Sequence, residues 1–107
     1  MSDNHPVYRK EFIFDIDTKK GNILWGDYHK VYPIIGSYLK KNGFKHIEGS
    51  AYRSIYPLKR ERFLRMFRKL LKQYPNLAPC IKSAHLSEVM DEYSLIDYIK
   101  NFSRRKY

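Results

Sequence analysis

Between Tyr8 and Asp17 apolar and polar residues alternate: Phe12, Phe14 and Ile16 fall on one parity, Ile13, Asp15 and Asp17 on the other. A period of two with aromatic and branched residues predicts a β-strand. Phe12, Phe14 and Ile16 then face the core, and Asp15 and Asp17 share the opposite face. Thr18–Gly26, with Gly21, Asn22 and Gly26, reads as a loop. From Asp27, an N-cap residue type, the spacing changes. Tyr28, Val31, Tyr32, Ile35, Tyr38 and Leu39 form a helical stripe to about Asn42, and Gly43 stops it. Pro33 means that this helix either bends or starts near Tyr32 with the proline in its first turn.

Phe44–Glu48 and Ala51–Tyr56 predict two strands around Gly49-Ser50, joined as a hairpin or a bulged pair. Pro57 opens a strongly amphipathic segment to about Tyr74, where Pro75 ends it. Phe63, Phe67, Leu70 and Tyr74 occupy one face, and Arg62, Arg65, Lys69 and Lys72 the other. Asn76–Cys80 is a turn, Ile81–Met90 a strand, and Asp91 caps a last helix through Phe102. The resulting order, β-α-β-β-α-β with an added C-terminal helix, predicts an α+β ferredoxin-like domain over 8–102. Residues 1–7 are expected to be a disordered N-terminus, and 103–107 a basic C-terminal tail.

Charge adds what periodicity cannot. The 107 residues carry a net charge of +10. Leu58–Tyr74 holds seven lysines and arginines against Glu61 alone, and Arg104, Arg105 and Lys106 add a second cluster. Charge concentrated in this way attracts polyanions, most often nucleic acid; an acidic protein partner or simple solubility would use the same feature. Composition removes other classes. The single Cys80 forms no internal disulfide, and no Cys/His set forms a structural zinc site. No apolar run reaches the roughly 18–20 residues of a membrane span. Met1–Lys10 is polar and carries no apolar segment of the signal-peptide kind. The expected setting is a reducing cytoplasm, without a membrane partner.

Asp15 and Asp17, two apart on a strand, supply the sharpest chemical signal: paired carboxylates hold Mg²⁺ or share acid and base roles, although Asp17 could instead cap the turn at Thr18. His46 and His85 fall on predicted strands, where an imidazole could act on an RNA ribose. Ser50 and Tyr52 sit where the second strand meets the third, and Arg53 beside them is suited to stabilising phosphate charge. There is no Gly-rich phosphate loop and no Lys/Arg-Gly-Phe/Tyr-Gly/Ala-Phe-Val pattern of the RNA-recognition motif.

These pieces resemble one family. Phe14-Asp15-Ile16-Asp17-Thr18 is similar to the Phe-Asp-x-Asp-Thr start of the virulence-associated protein D (VapD) family. Tyr28 and Tyr32 resemble its tyrosines at the start of the first helix. Gly43-Phe44 and Gly49-Ser50-Ala51-Tyr52 resemble its Gly-Phe and Gly-Ser-Val-Tyr segments. The resemblance spans roughly Lys10 to Phe102. It implies a ferredoxin-like fold, usually dimeric, close to the small CRISPR-associated nucleases. It also implies an endoribonuclease, often the toxin of a bacterial toxin–antitoxin pair, with RNA as substrate and a small antitoxin protein as partner. Asp15 would be the key carboxylate and, if metal is used, the Mg²⁺ ligand; Ser50 would be a second functional residue. Asp17, Arg53 and His46 are supporting candidates. Arg62, Arg65, Lys69, Lys72, Arg104 and Arg105 would bind RNA or the partner. Where family members can carry an acid near the start of the fourth strand, this chain has Ser83. The alternative is a non-catalytic nucleic-acid binder or scaffold of the same fold.

Overall fold

Phe12, Phe14 and Ile16 do turn inward along β1 (Arg9–Ile16), each nearly inaccessible to solvent. The computed structural model describes residues 6–90, 95 and 99–102. β1 is central in a four-stranded sheet that also contains β2 (Phe44–Glu48), β3 (Ala51–Ser54) and β4 (Ile81–Val89). The strand order is β2-β3-β1-β4, and every neighbouring pair is antiparallel. This is the ferredoxin-like α+β arrangement predicted from the element order.

Three α-helices accompany the sheet within the described residues 6–90: α1 (Thr18–Trp25), α2 (Val31–Lys41) and α3 (Arg60–Gln73). Val31, Ile35 and Leu39 of α2 and Phe63 and Leu70 of α3 are buried with the inward residues of β1. Phe12 stacks on the layer above it, with ring centroids 5.1 Å from Phe63 and 5.0 Å from Phe67. α2 rides low over β3, because a Cβ at Gly36 would meet the Tyr52 hydroxyl.

Three sequence expectations change. Thr18–Gly26 is mostly helix, not loop. β1 stops at Ile16, and Asp17 becomes the N-cap of α1: its Oδ1 accepts from the Lys20 amide at 3.0 Å. Gly21 is a packing residue here; a Cβ on it would lie 2.5 Å from Cβ of Tyr28. Asp27 caps a 3₁₀ turn (Tyr28–Lys30) rather than the α-helix, which starts at Val31 with Pro33 as its third residue. There the missing amide proton costs no helical hydrogen bond. β3 ends at Ser54, and α3 starts three residues after Pro57.

The β2–β3 connection is a two-residue turn with Gly49 at φ 52°, and a bulge lies between His46 and Glu48. Of the expected C-terminal helix, 99–102 are helical, with the Ile99 amide donating to the Leu95 carbonyl at 2.9 Å. The cap at Asp91, the segments 1–5 and 103–107, and with them Arg104 and Arg105, lie outside the described residues. Pro6 and Val7 are exposed and belong to no helix or strand.

The cap at Asp17 is directly testable. Asp17→Ala should lower unfolding free energy by about 1 kcal/mol, and Asp17→Ser, which keeps a capping oxygen, by much less. Urea denaturation of the two variants side by side checks this; equal losses would remove the capping role.

Candidate active site on the open sheet face

Among the described residues, helices cover one face of the sheet and leave the other open. Register decides which side chains share the open face. β1 contributes Glu11, Ile13 and Asp15, alternating with the buried Phe12, Phe14 and Ile16. Across β1 and β4, Asp15 is opposite Ser83, Ile13 opposite His85, and Glu11 opposite Ser87. Across β1 and β3, Glu11 is opposite Arg53 and Ile13 opposite Ala51. Directly opposite residues project to the same side.

Asp15 is exposed near the end of β1, where its Oδ1 accepts from the following Ile16 amide at 3.0 Å. Ser50, in the β2–β3 turn, is tied to the residue before it. The Ser50 hydroxyl donates to the Phe14 carbonyl at 2.5 Å, and the Phe14 amide reaches the Ser50 carbonyl at 3.4 Å. The turn is thereby fastened to the strand beside Asp15. The Ser50 proton is committed to that bond, while its oxygen keeps capacity to accept.

Asp15 also reaches α2 electrostatically. The Tyr32 hydroxyl holds its proton above the ordinary phenol range, chiefly because it is partly buried and secondarily because of the Asp15 charge; Tyr28 adds a smaller push. Periodicity had put Tyr32 on the core stripe alone. Its ring does pack near Phe14, at 5.9 Å between centroids, so one side chain serves both the core and the surroundings of Asp15.

The other candidates are spread out. Asp17 has left the strand to cap α1, so the two carboxylates do not form a pair on one face. Arg53 does share the open face, but its Nε and Nη2 lie 3.2 and 2.8 Å from Oε1 of Glu11 in a half-buried ion pair. It is opposite Glu11, four residues along β1 from Asp15, or about 13 Å. A phosphate held by Arg53 would compete with Glu11 and lie away from Asp15. His46 is opposite Tyr52, on the helix side of the sheet, with its Nε2 2.6 Å from the Gly49 carbonyl. It does not join Asp15. His85 does share that face.

Arg62, Arg65, Lys69 and Lys72 are all exposed on α3, on the side away from its buried Phe63 and Leu70. The basic stripe and Asp15 are therefore on opposite faces of the domain. A groove of about 470 Å³ between α2 and α3, lined by Ile34, Tyr38, Leu70 and Tyr74 among others, also belongs to the helix layer. Among the described residues no three His, Cys, Asp or Glu side chains come together as a metal site. Mg²⁺ is commonly held by one or two carboxylates together with water and substrate phosphate, and Asp15 would supply one such carboxylate.

Fold and surface together define a small ferredoxin-like α+β domain with the exposed Asp15 carboxylate near the end of β1 on an open sheet face. No family model matches the chain. It is similar to "Endoribonuclease VapD homolog" of Helicobacter pylori, 29% identical over 87 residues, which covers 81% of this chain and 92% of that protein. It is also similar to "Endoribonuclease VapD 2" of Riemerella anatipestifer, 25% identical over 89 residues, 81% of this chain and 95% of the relative. These two matches support assigning the chain to the VapD family. Among the described residues no helix is long and apolar enough to cross a membrane.

Proposed function

We propose that this chain is an endoribonuclease that cleaves single-stranded RNA at the open sheet face, with Asp15 as general base. One observation carries the reading: an exposed carboxylate, fastened beside the Ser50 turn, in a chain that matches named endoribonucleases over four-fifths of its length. The carboxylate takes the proton of the ribose 2′-hydroxyl as that oxygen attacks the adjoining phosphorus. Ser50 accepts a hydrogen bond from the bound nucleotide and holds the turn against β1. Two copies paired through their sheet edges would form a homodimer that brings two Asp15 residues near a shared cleft and leaves the open face to RNA. The test is incubation of the purified chain with single-stranded RNA, with and without EDTA; intact RNA in both conditions would refute the activity.

The cellular role that fits is toxin of a cytoplasmic toxin–antitoxin pair. Support comes from the α3 stripe, which faces away from Asp15 and is free to meet an acidic protein while RNA occupies the sheet. Arg65→Glu combined with Lys69→Glu should abolish binding of a small acidic antitoxin and leave cleavage near the wild-type rate. Titration calorimetry beside an RNase assay checks it. Loss of cleavage with an intact complex would instead assign the stripe to RNA.

A further inference from the structure

Acid–base cleavage of RNA needs two proton transfers, and Asp15 accounts for one. The second is loss of the 5′-oxygen, which leaves poorly unless it is protonated. Imidazole is the side chain best matched to that task near neutral pH. Three of the four histidines can be placed, and the structure separates them. His29 is 2.7 Å from Asp27 at the start of the 3₁₀ turn. His46 is bonded to the Gly49 carbonyl on the helix side of the sheet. His85 is exposed on β4, opposite Ile13, two residues along from Ser83, the partner of Asp15, and on the same face. Diagonal neighbours of this kind lie about 7–8 Å apart, within reach of a long side chain. That spacing is wide enough for a phosphodiester to lie between the carboxylate and the imidazole.

We infer that His85 is the general acid of this site, delivering a proton to the departing 5′-oxygen while Asp15 removes the 2′-proton. The inference rests on the RNA-cleaving role proposed above. The 2′-oxygen forms a bond to phosphorus, and the bond from phosphorus to the 5′-oxygen breaks. The 2′-proton goes to Asp15, and the imidazolium proton of His85 goes to the leaving oxygen. The products are a 2′,3′-cyclic phosphate and a 5′-hydroxyl; water then restores both groups to their starting states. β4 is an edge strand with β1 as its neighbour. Among the described residues, the charged groups facing His85 are therefore Asp15, Arg9 and the Glu11–Arg53 pair. Ser83, opposite Asp15, flanks the site without adding charge.

The test compares wild type with His85→Gln on two substrates. One is an RNA oligonucleotide, the other a nucleoside 3′-(4-nitrophenyl phosphate), whose leaving group needs no protonation. On RNA the variant should be slower by about 100-fold or more, and the wild-type loss of rate at alkaline pH should vanish from its profile. On the nitrophenyl ester the two proteins should be nearly equal, which a merely structural or binding role of His85 would not produce. An equal defect on both substrates, or product ends carrying 5′-phosphate and 3′-hydroxyl, overturns the assignment while leaving the endoribonuclease reading intact. Failure of wild type to cut RNA at all overturns both.

Discussion

Asp15→Asn should reduce RNA cleavage by about 10²- to 10⁴-fold, the range expected when a general base is removed, and leave the fold unchanged. Asp15 is exposed, and its one described bond is acceptance from the Ile16 amide at 3.0 Å. An asparagine carbonyl can accept that bond equally well. The cost in stability should therefore stay within about 0.5 kcal/mol, as for surface substitutions away from special features. Three measurements on one preparation separate the readings: cleavage rate, thermal midpoint and RNA affinity at two salt concentrations. Lost cleavage with an unshifted midpoint and retained, salt-sensitive binding identifies a catalytic carboxylate, since phosphate contacts carry affinity without chemistry. Cleavage at the wild-type rate removes Asp15 from the mechanism. Binding without cleavage in both proteins favours the non-catalytic nucleic-acid binder.

What makes this experiment sharp was only half legible in the sequence. The alternation that buries Phe12, Phe14 and Ile16 is a local property of one strand, and it survives folding unchanged. The α3 stripe is local too, since 3.6-residue periodicity suffices to set basic against apolar faces. Asp17 was ambiguous because period two says nothing about where a strand ends. The strand stops one residue before it, where capping α1 satisfies an otherwise unpaired amide. Gly21 and Asn22 signalled a turn because glycine usually marks backbone freedom. Here Gly21 marks a close approach to Tyr28, which belongs to tertiary packing and leaves no trace in spacing. The histidines were equivalent by the same limitation. Only the pairing register puts His46 on one side of the sheet and His85 on the other, and register depends on partner strands and the β2 bulge.

Phe14→Ala should be the most damaging single change in the core, and it should reach the site through the backbone. The Phe14 side chain is 2% exposed. Its ring lies 5.8 Å from Phe12, 5.9 Å from Tyr32 and 6.3 Å from Tyr52, between β1, β3 and α2. Removing a buried ring costs the transfer free energy of its atoms and leaves a cavity that surrounding aromatic rings, confined to their rotamers, fill poorly; about 3–5 kcal/mol is expected. That is a large share of the 5–15 kcal/mol that holds a domain together. For a domain of this size each kcal/mol corresponds to roughly 4–8 °C, so the midpoint should fall by at least about 12 °C. Phe14→Leu, which retains most of the volume, should fall much less. The functional consequence follows from the Phe14 carbonyl, which holds the Ser50 hydroxyl, and from Asp15 as the next residue. When β1 relaxes into the cavity, the Ser50 turn and the carboxylate shift relative to each other. Cleavage by Phe14→Ala should therefore be impaired even at temperatures where circular dichroism shows it folded, and Phe14→Leu should recover most of it. A midpoint within about 4 °C of wild type would mean that the ring is not the keystone its burial indicates. Full activity in a folded Phe14→Ala would mean that the backbone at Phe14 does not position Asp15.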